Sequence, residues 1–177
     1  MDSFTKVLVE CRKKESTRML HNASIEHAKV LFENLIDMGR ELKEPIRIVS
    51  GKLNTEFYGQ LTDKAEQALK ENTPIELVVV DPDINLDDNP FANIIRESGG
   101  HVYQTTEKIE YPHFILVGEK RFRLETDHAQ TKAVACFNNI EVGTFLHKMF
   151  NLLKDYKLIE KVSLSTANAS APAEKVV

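Results

Sequence analysis

Residues 75–80 read IELVVV, five apolar side chains in six positions. β-Branched residues pack well on a pleated surface, and an unbroken apolar run suits a strand covered on both faces. Such a strand needs cover from two sides, and its flanks offer it. Upstream, Phe57, Tyr58, Leu61, Ala65, Ala68 and Leu69 recur at helical spacing behind a cap at Asn54 or Thr55, and Pro74 breaks the chain before the strand. Downstream, Pro90 is placed for the first turn of a short helix over FANIIRES, which Gly99-Gly100 ends.

The same alternation precedes it. Ile25, Ala28, Phe32, Leu35, Ile36 and Leu42 predict a helix with Asn22 as N-cap and Glu26 in its first turn. Pro45 stops that helix, and Ile46 to Val49 follow as a strand ended by Ser50 and Gly51. At the N-terminus Phe4, Val7, Leu8 and Val9 read as a first strand that ends at CRKKE. After HVYQT (101–105), a further strand, PHFILVGEKRFRLE (112–125) reads as two strands about a tight turn at Gly118-Glu119-Lys120. KAVACFN (132–138) is one more strand. A last amphipathic helix carries Ile140, Phe145, Leu146, Met149, Phe150, Leu152 and Leu153. The expected fold is α/β, a mixed, mostly parallel central sheet flanked by helices, with a C-terminal antiparallel hairpin and a closing helix. Residues 1–162 form one domain in this reading, and 163–177, small and polar, form a disordered tail.

Composition narrows the function. A net charge of −4 gives no global signature for nucleic acid, so such a site would have to be a local basic patch. CRKKESTR, with Arg12, Lys13, Lys14 and Arg18, could touch phosphates, but the preferred reading is a solvated connector. No apolar run approaches the about 20 residues that span a bilayer, and the first ten residues lack the pattern of a secretory signal. Cys11 and Cys136 stand alone, outside any Cys-x-x-Cys pair, which fits a reducing compartment. A cytoplasmic protein is expected, with no membrane contact. DPDINLDDN lacks calcium-loop spacing and SGKLN lacks Walker spacing, so neither a metal nor a cofactor is expected.

The candidate site gathers at strand ends. Asp81 and Ser50 each follow a strand, where α/β sheets bind ligands. On the second strand of the hairpin Arg121, Arg123 and Glu125 share a face, and His113 stands at the start of the first. An arginine fork there can take a phosphate or carboxylate, or these charges can form a cross-strand ion pair on a solvent face.

The order of these stretches, IRIVSG, IELVVVDP, HFILVGEKRFRLE and AVACFNNIEVGTFLHKMFNLL, resembles a single phospholipase D-like domain over residues 24–155. It is also similar to small bacterial proteins of this pattern, some near mobile elements or defence genes. The resemblance implies a His-x-Lys motif, an Asp after four further residues, and then Gly-Ser-x-Asn, with the His as nucleophile. Here the His is His113, the Lys position holds Ile115, the Asp position holds Lys120, and RLETD stands where Gly-Ser-x-Asn belongs. Phosphoryl transfer depends on positioning and charge stabilisation, and loss of a single oxyanion donor costs about 10²–10³ in rate. The expectation is a scaffold without its reaction: a phosphate-, anion- or partner-binding regulatory module whose rim is Ser50, Asp81, His113, Arg123 and Glu125. The resemblance also implies a homodimer or a place in a larger complex. The rival readings are a phosphodiesterase or nuclease acting through His113, and a structural subunit that docks by the last helix.

Overall fold

The computed structural model describes residues 2–22, 24–127, 132–156 and 158–160. Residues 163–177, the expected tail, lie outside them.

One sheet of eight strands organises the chain: β1 (Leu20–Asn22), β2 (Ile46–Ser50), β3 (Ile75–Val79), β4 (His101–Thr105), β5 (Phe114–Val117), β6 (Arg121–Asp127), β7 (Lys132–Cys136) and β8 (Leu158–Glu160). Their spatial order is β1-β7-β6-β5-β2-β3-β4-β8. Only β2–β3 and β3–β4 are parallel; the other five neighbours run antiparallel. The α/β class stands, but the sheet is mostly antiparallel, not mostly parallel. Connection length explains the correction. The parallel neighbours β2, β3 and β4 are joined through helices, whereas β5 turns into its neighbour β6 over three residues, too few for a crossover.

The helices are α1 (Ser3–Lys13), α2 (Ile25–Leu42), α3 (Thr55–Tyr58), α4 (Thr62–Lys70), α5 (Pro90–Glu97) and α6 (Ile140–Asp155), with a 3₁₀ turn at Gly59–Leu61 between α3 and α4. The first five share one core with Ile46, Ile48, Leu77, Val79 and Ile115. The opposite face, Val49, Val78, Phe114, Leu116 and Phe122, packs against α6 through Leu146, Phe150 and Leu153. β3 is thus covered on both sides, as its nearly continuous apolar run predicts. On α6 the expected apolar face divides. Ile140, Phe145 and Leu152 are exposed while Leu146, Phe150 and Leu153 are buried.

Two local readings are overturned. Residues 3–13 form a helix and not a strand: Phe4, Val7, Leu8 and Cys11 follow helical spacing, and the Asp2 side chain caps the first turn by accepting from Thr5 N. CRKKE therefore begins inside α1, where Arg12 donates to Asn34 and Glu41 and Lys14 pairs with Glu10. The cap of α2 is Ser24, whose side chain accepts from His27 N, and Asn22 is a buried member of β1. Cys11 and Cys136 are both unpaired and belong to cores on opposite faces of the sheet.

The hairpin turn is tied to α6. Asn139 N donates to Lys120 O at 2.9 Å, and a Cβ at Gly143 would fall 2.0 Å from the Glu119 carbonyl oxygen. Backbone meets backbone there, with no flexible group to yield. Gly143→Ala is expected to cost about 1–3 kcal/mol, as overpacking does. At about 2–4 °C per kcal/mol for a chain of this size, thermal unfolding should fall by several degrees.

Candidate ligand pocket

The site follows from strand register. One row across the sheet runs Asn22, Ala133, Glu125 and His113: Asn22 faces Ala133, Ala133 faces Glu125, and Glu125 N donates to His113 O at 2.9 Å. The next row runs Leu20, Ala135, Arg123, Ile115 and Ile48. Both rows lie beneath α2. Ala133 and Ala135 flank Glu125 and Arg123 with small side chains, which leaves the longer ones room.

Arg123 is buried, with 5% of its surface exposed. Its guanidinium carbon lies 5.6 Å from the centre of the Phe32 ring, within cation–π range. Nε donates to Asn22 Oδ1 at 3.2 Å, its one hydrogen bond to a described residue. Neither terminal nitrogen donates to a described residue. Burial pulls this guanidinium below the usual arginine value, and the Glu125 carboxylate acts in the opposite direction.

Glu125 and His113 form a pair, Oε2 to Nδ1, at 3.0 Å. The imidazole lies flush against Gly51: a Cβ on that residue would stand 2.7 Å from both Cε1 and Nε2. Ser50 closes the strand, and its hydroxyl accepts from Leu53 N, so it shapes the turn into α3 as well as lining the site. Tyr58 forms part of the wall, and burial pushes its phenol up to about 12, partly offset by the Ser50 hydroxyl and the Arg123 charge.

Ser50, His113, Arg123 and Glu125 line one cavity of about 290 Å³, walled on its apolar side by Phe32, Phe57 and Leu53. Four of the five expected rim residues therefore meet. Asp81 does not line this cavity. It sits in an adjoining cleft of about 400 Å³ that shares Lys52, His113 and Glu125 with the first. There Asp81 pairs with Lys108 at 2.8 Å and accepts from Asp83 N. Lys108 first, then that N–H, hold its carboxyl below the usual 3.8. The rest of the DPDINLDDN loop is turn and cap chemistry, with Asn85 accepting from Asp87 N and Asn89 capping α5.

Arg121, expected beside Arg123, is removed from the site. It donates to Glu44 at 2.6 Å and to Glu15 at 2.9 Å. The face it shares is not a solvent face, since α2 covers it and Arg121 is only 2% exposed. Ile115, where the resemblance puts a lysine, is fully buried in the core, and Lys120 pairs with Glu15. Among the described residues no cluster of three or more His, Cys, Asp or Glu could hold a metal ion. Among them, too, no helix is long and apolar enough to cross a membrane. Sequence reasoning missed Asn22 as a partner of Arg123 and read Phe32, Phe57 and Tyr58 only as core.

No family model matches the chain, and no curated protein does. Among solved structures it is similar to TrmBL2, an archaeal chromatin protein whose structure shows a novel mode of DNA binding. The TM-score is 0.60 at 11% identity, covering 86% of this chain and 60% of that one. It is also similar to a polyphosphate kinase from Porphyromonas gingivalis, with a TM-score of 0.54 at 13% identity, over 82% of this chain and 24% of that one. At such identities the likeness is one of fold, and the chain spans less than two thirds of either protein.

Two outcomes follow from this geometry. Gly51→Ala should displace the His113 ring and break its contact with Glu125, visible as changed imidazole ¹⁵N shifts in a chain that keeps its far-ultraviolet circular dichroism. A depressed carboxyl stabilises the fold above its ordinary value and stops doing so as pH falls through the lowered one. The stability difference between Lys108→Met and the parent should therefore be present at neutral pH and shrink as pH drops below 3.8.

Proposed function

We propose that this chain is a ligand-binding module on a phospholipase D-like scaffold that lacks that family's chemistry, and that its pocket holds the anionic group of a small organic acid on Arg123. The observation that carries this is the state of Arg123. A guanidinium is costly to bury without partners, and here it makes one hydrogen bond to a described residue while lining a cavity. The planar fork of arginine matches a carboxylate or a phosphate in two parallel bonds. The volume, about 290 Å³, is at the small end of ligand pockets, so the acid is small. The polyphosphate kinase, by its name, also handles phosphate, which agrees with this reading.

Loss of phosphodiesterase chemistry is part of the proposal. Ile115 and Lys120 supply no cation beside His113, because one is core and the other is engaged by Glu15. The enzyme reading keeps one observation in its favour: Glu125 orients the His113 ring as a carboxylate orients a catalytic imidazole. It requires turnover of a generic phosphodiester that disappears in His113→Ala. The DNA binding reported for TrmBL2 finds no counterpart in charge here, since most basic side chains answer to an acid, among them Arg12, Arg40, Arg47, Lys64 and Arg96.

Calorimetric titration with 3-phenylpropionate and phenyl phosphate tests the proposal. At least one should bind, and Arg123→Met should weaken it by about tenfold or more, the scale of a lost charged hydrogen bond. Equal affinity in the variant, or no binding of any acid, would remove the anion-binding reading. Duplex DNA at low salt should not bind.

A further inference from the structure

The pocket carries a second charge beside its cation, and that charge selects among acids. Arg123 and Glu125 sit two residues apart on one face of β6, about 6.5 Å along the strand, and both line the cavity. A simple anion on Arg123 would also feel the Glu125 carboxylate, so part of what it gains from one it loses to the other. A ligand with an anionic group and a cationic donor a few ångströms apart is attracted by both. An α-amino acid has that arrangement. We infer that the pocket takes a zwitterionic α-amino acid with an apolar side chain, its carboxylate on Arg123 and its ammonium toward Glu125.

The surroundings fit each part. Ala133 and Ala135 on β7 stand opposite Glu125 and Arg123, and their small side chains leave the two charged ones room. Phe32, Phe57 and Leu53 wall the cavity with apolar surface for the side chain. His113 engages Glu125 through Oε2 and holds the carboxylate on the cavity side of the strand. Asn22 holds Arg123 through Nε, which fixes the plane of the guanidinium fork. Tyr58 stays neutral at physiological pH, with its phenol pushed up to about 12, and adds no competing charge. This inference rests on the acid-binding reading above and narrows it.

The experiment compares four probes on the full chain by calorimetry: L-phenylalanine, L-leucine, 3-phenylpropionate, which lacks the ammonium, and 2-phenylethylamine, which lacks the carboxylate. L-Phenylalanine or L-leucine should bind at least about tenfold more tightly than either truncated probe, the scale of one charged hydrogen bond. Glu125→Gln should bring L-phenylalanine and 3-phenylpropionate to within about twofold of each other, because only the ammonium loses its partner. If 3-phenylpropionate binds as tightly as both amino acids, the zwitterion assignment is overturned while the acid-binding reading survives. If no probe binds, or if Arg123→Lys leaves affinity unchanged, both fall. The parent comparison needs no variant, so a substitution that fails to fold leaves the inference open to refutation.

Discussion

The pairing of β5 with β6 is the constraint on which the site depends. Strand side chains alternate between faces with a period of two, so a slip of one residue would exchange them all. In the observed register Phe122 and Leu124 face α6, while Arg121, Arg123 and Glu125 face α2. The slipped register would drive three charges against Leu146 and Phe150. The turn itself is held by α6, through Asn139 N on Lys120 O and through the close approach at Gly143. A helix on one face of the sheet thus sets the position of a cavity on the other.

The two arginines of β6 show how differently one strand face can treat the same charge. Arg121 is met by two carboxylates, Glu44 and Glu15, and serves to fasten the C-terminal end of α2 and the turn after α1 to the sheet. Arg123 has an aromatic face and one amide oxygen. Desolvation of a charge is compensated only when geometry and hydrogen bonds are good; among the described residues Arg121 meets two carboxylates, with only its Nε lacking a hydrogen bond, while Arg123 meets none at ion-pair distance. Local rules of polar satisfaction are broken most often where a function uses the residue. The proposed ligand site is accordingly the cavity and not the ion cluster around Arg121.

How much was legible depended on how local each cause was. IELVVV, the Asn54 cap, Pro90 and Gly99-Gly100 carry their own signals, and the elements they predict are present. The β-branched VLV of residues 7–9 concealed a helix, because burial of Phe4, Val7, Leu8 and Cys11 against α2 outweighs β propensity. β1 spans three residues and exists only because β7 offers it an edge, so nothing within it announces a strand. Asn22 looked like a cap for the same reason. The direction of the sheet was misjudged because the parallel pairing of the first half was given more weight than the antiparallel strands β5, β6, β7, β1 and β8, which make five of the seven pairings. Ser50, His113, Arg123 and Glu125 could be grouped from strand alternation and strand ends alone. That Asp81 faces a separate cleft, and that Phe32, Phe57 and Tyr58 line a cavity as well as a core, are consequences of how α2 and α3 lie over the sheet.

The rows of the sheet also bear on the proposal that the chain keeps a pocket and not a reaction. The position where the resemblance calls for a lysine, Ile115, stands directly opposite Arg123 in the β5–β6 ladder. The cation of the pocket therefore occupies the same row, one strand over. Moving it changes what it can do. Catalysis needs interactions that strengthen as charge develops in the transition state. A guanidinium wedged between Phe32 and Asn22 is fixed before any ligand arrives, and the imidazole across from it is bound to Glu125 and pressed on Gly51. That rigidity lowers the ordering cost of binding a small ligand.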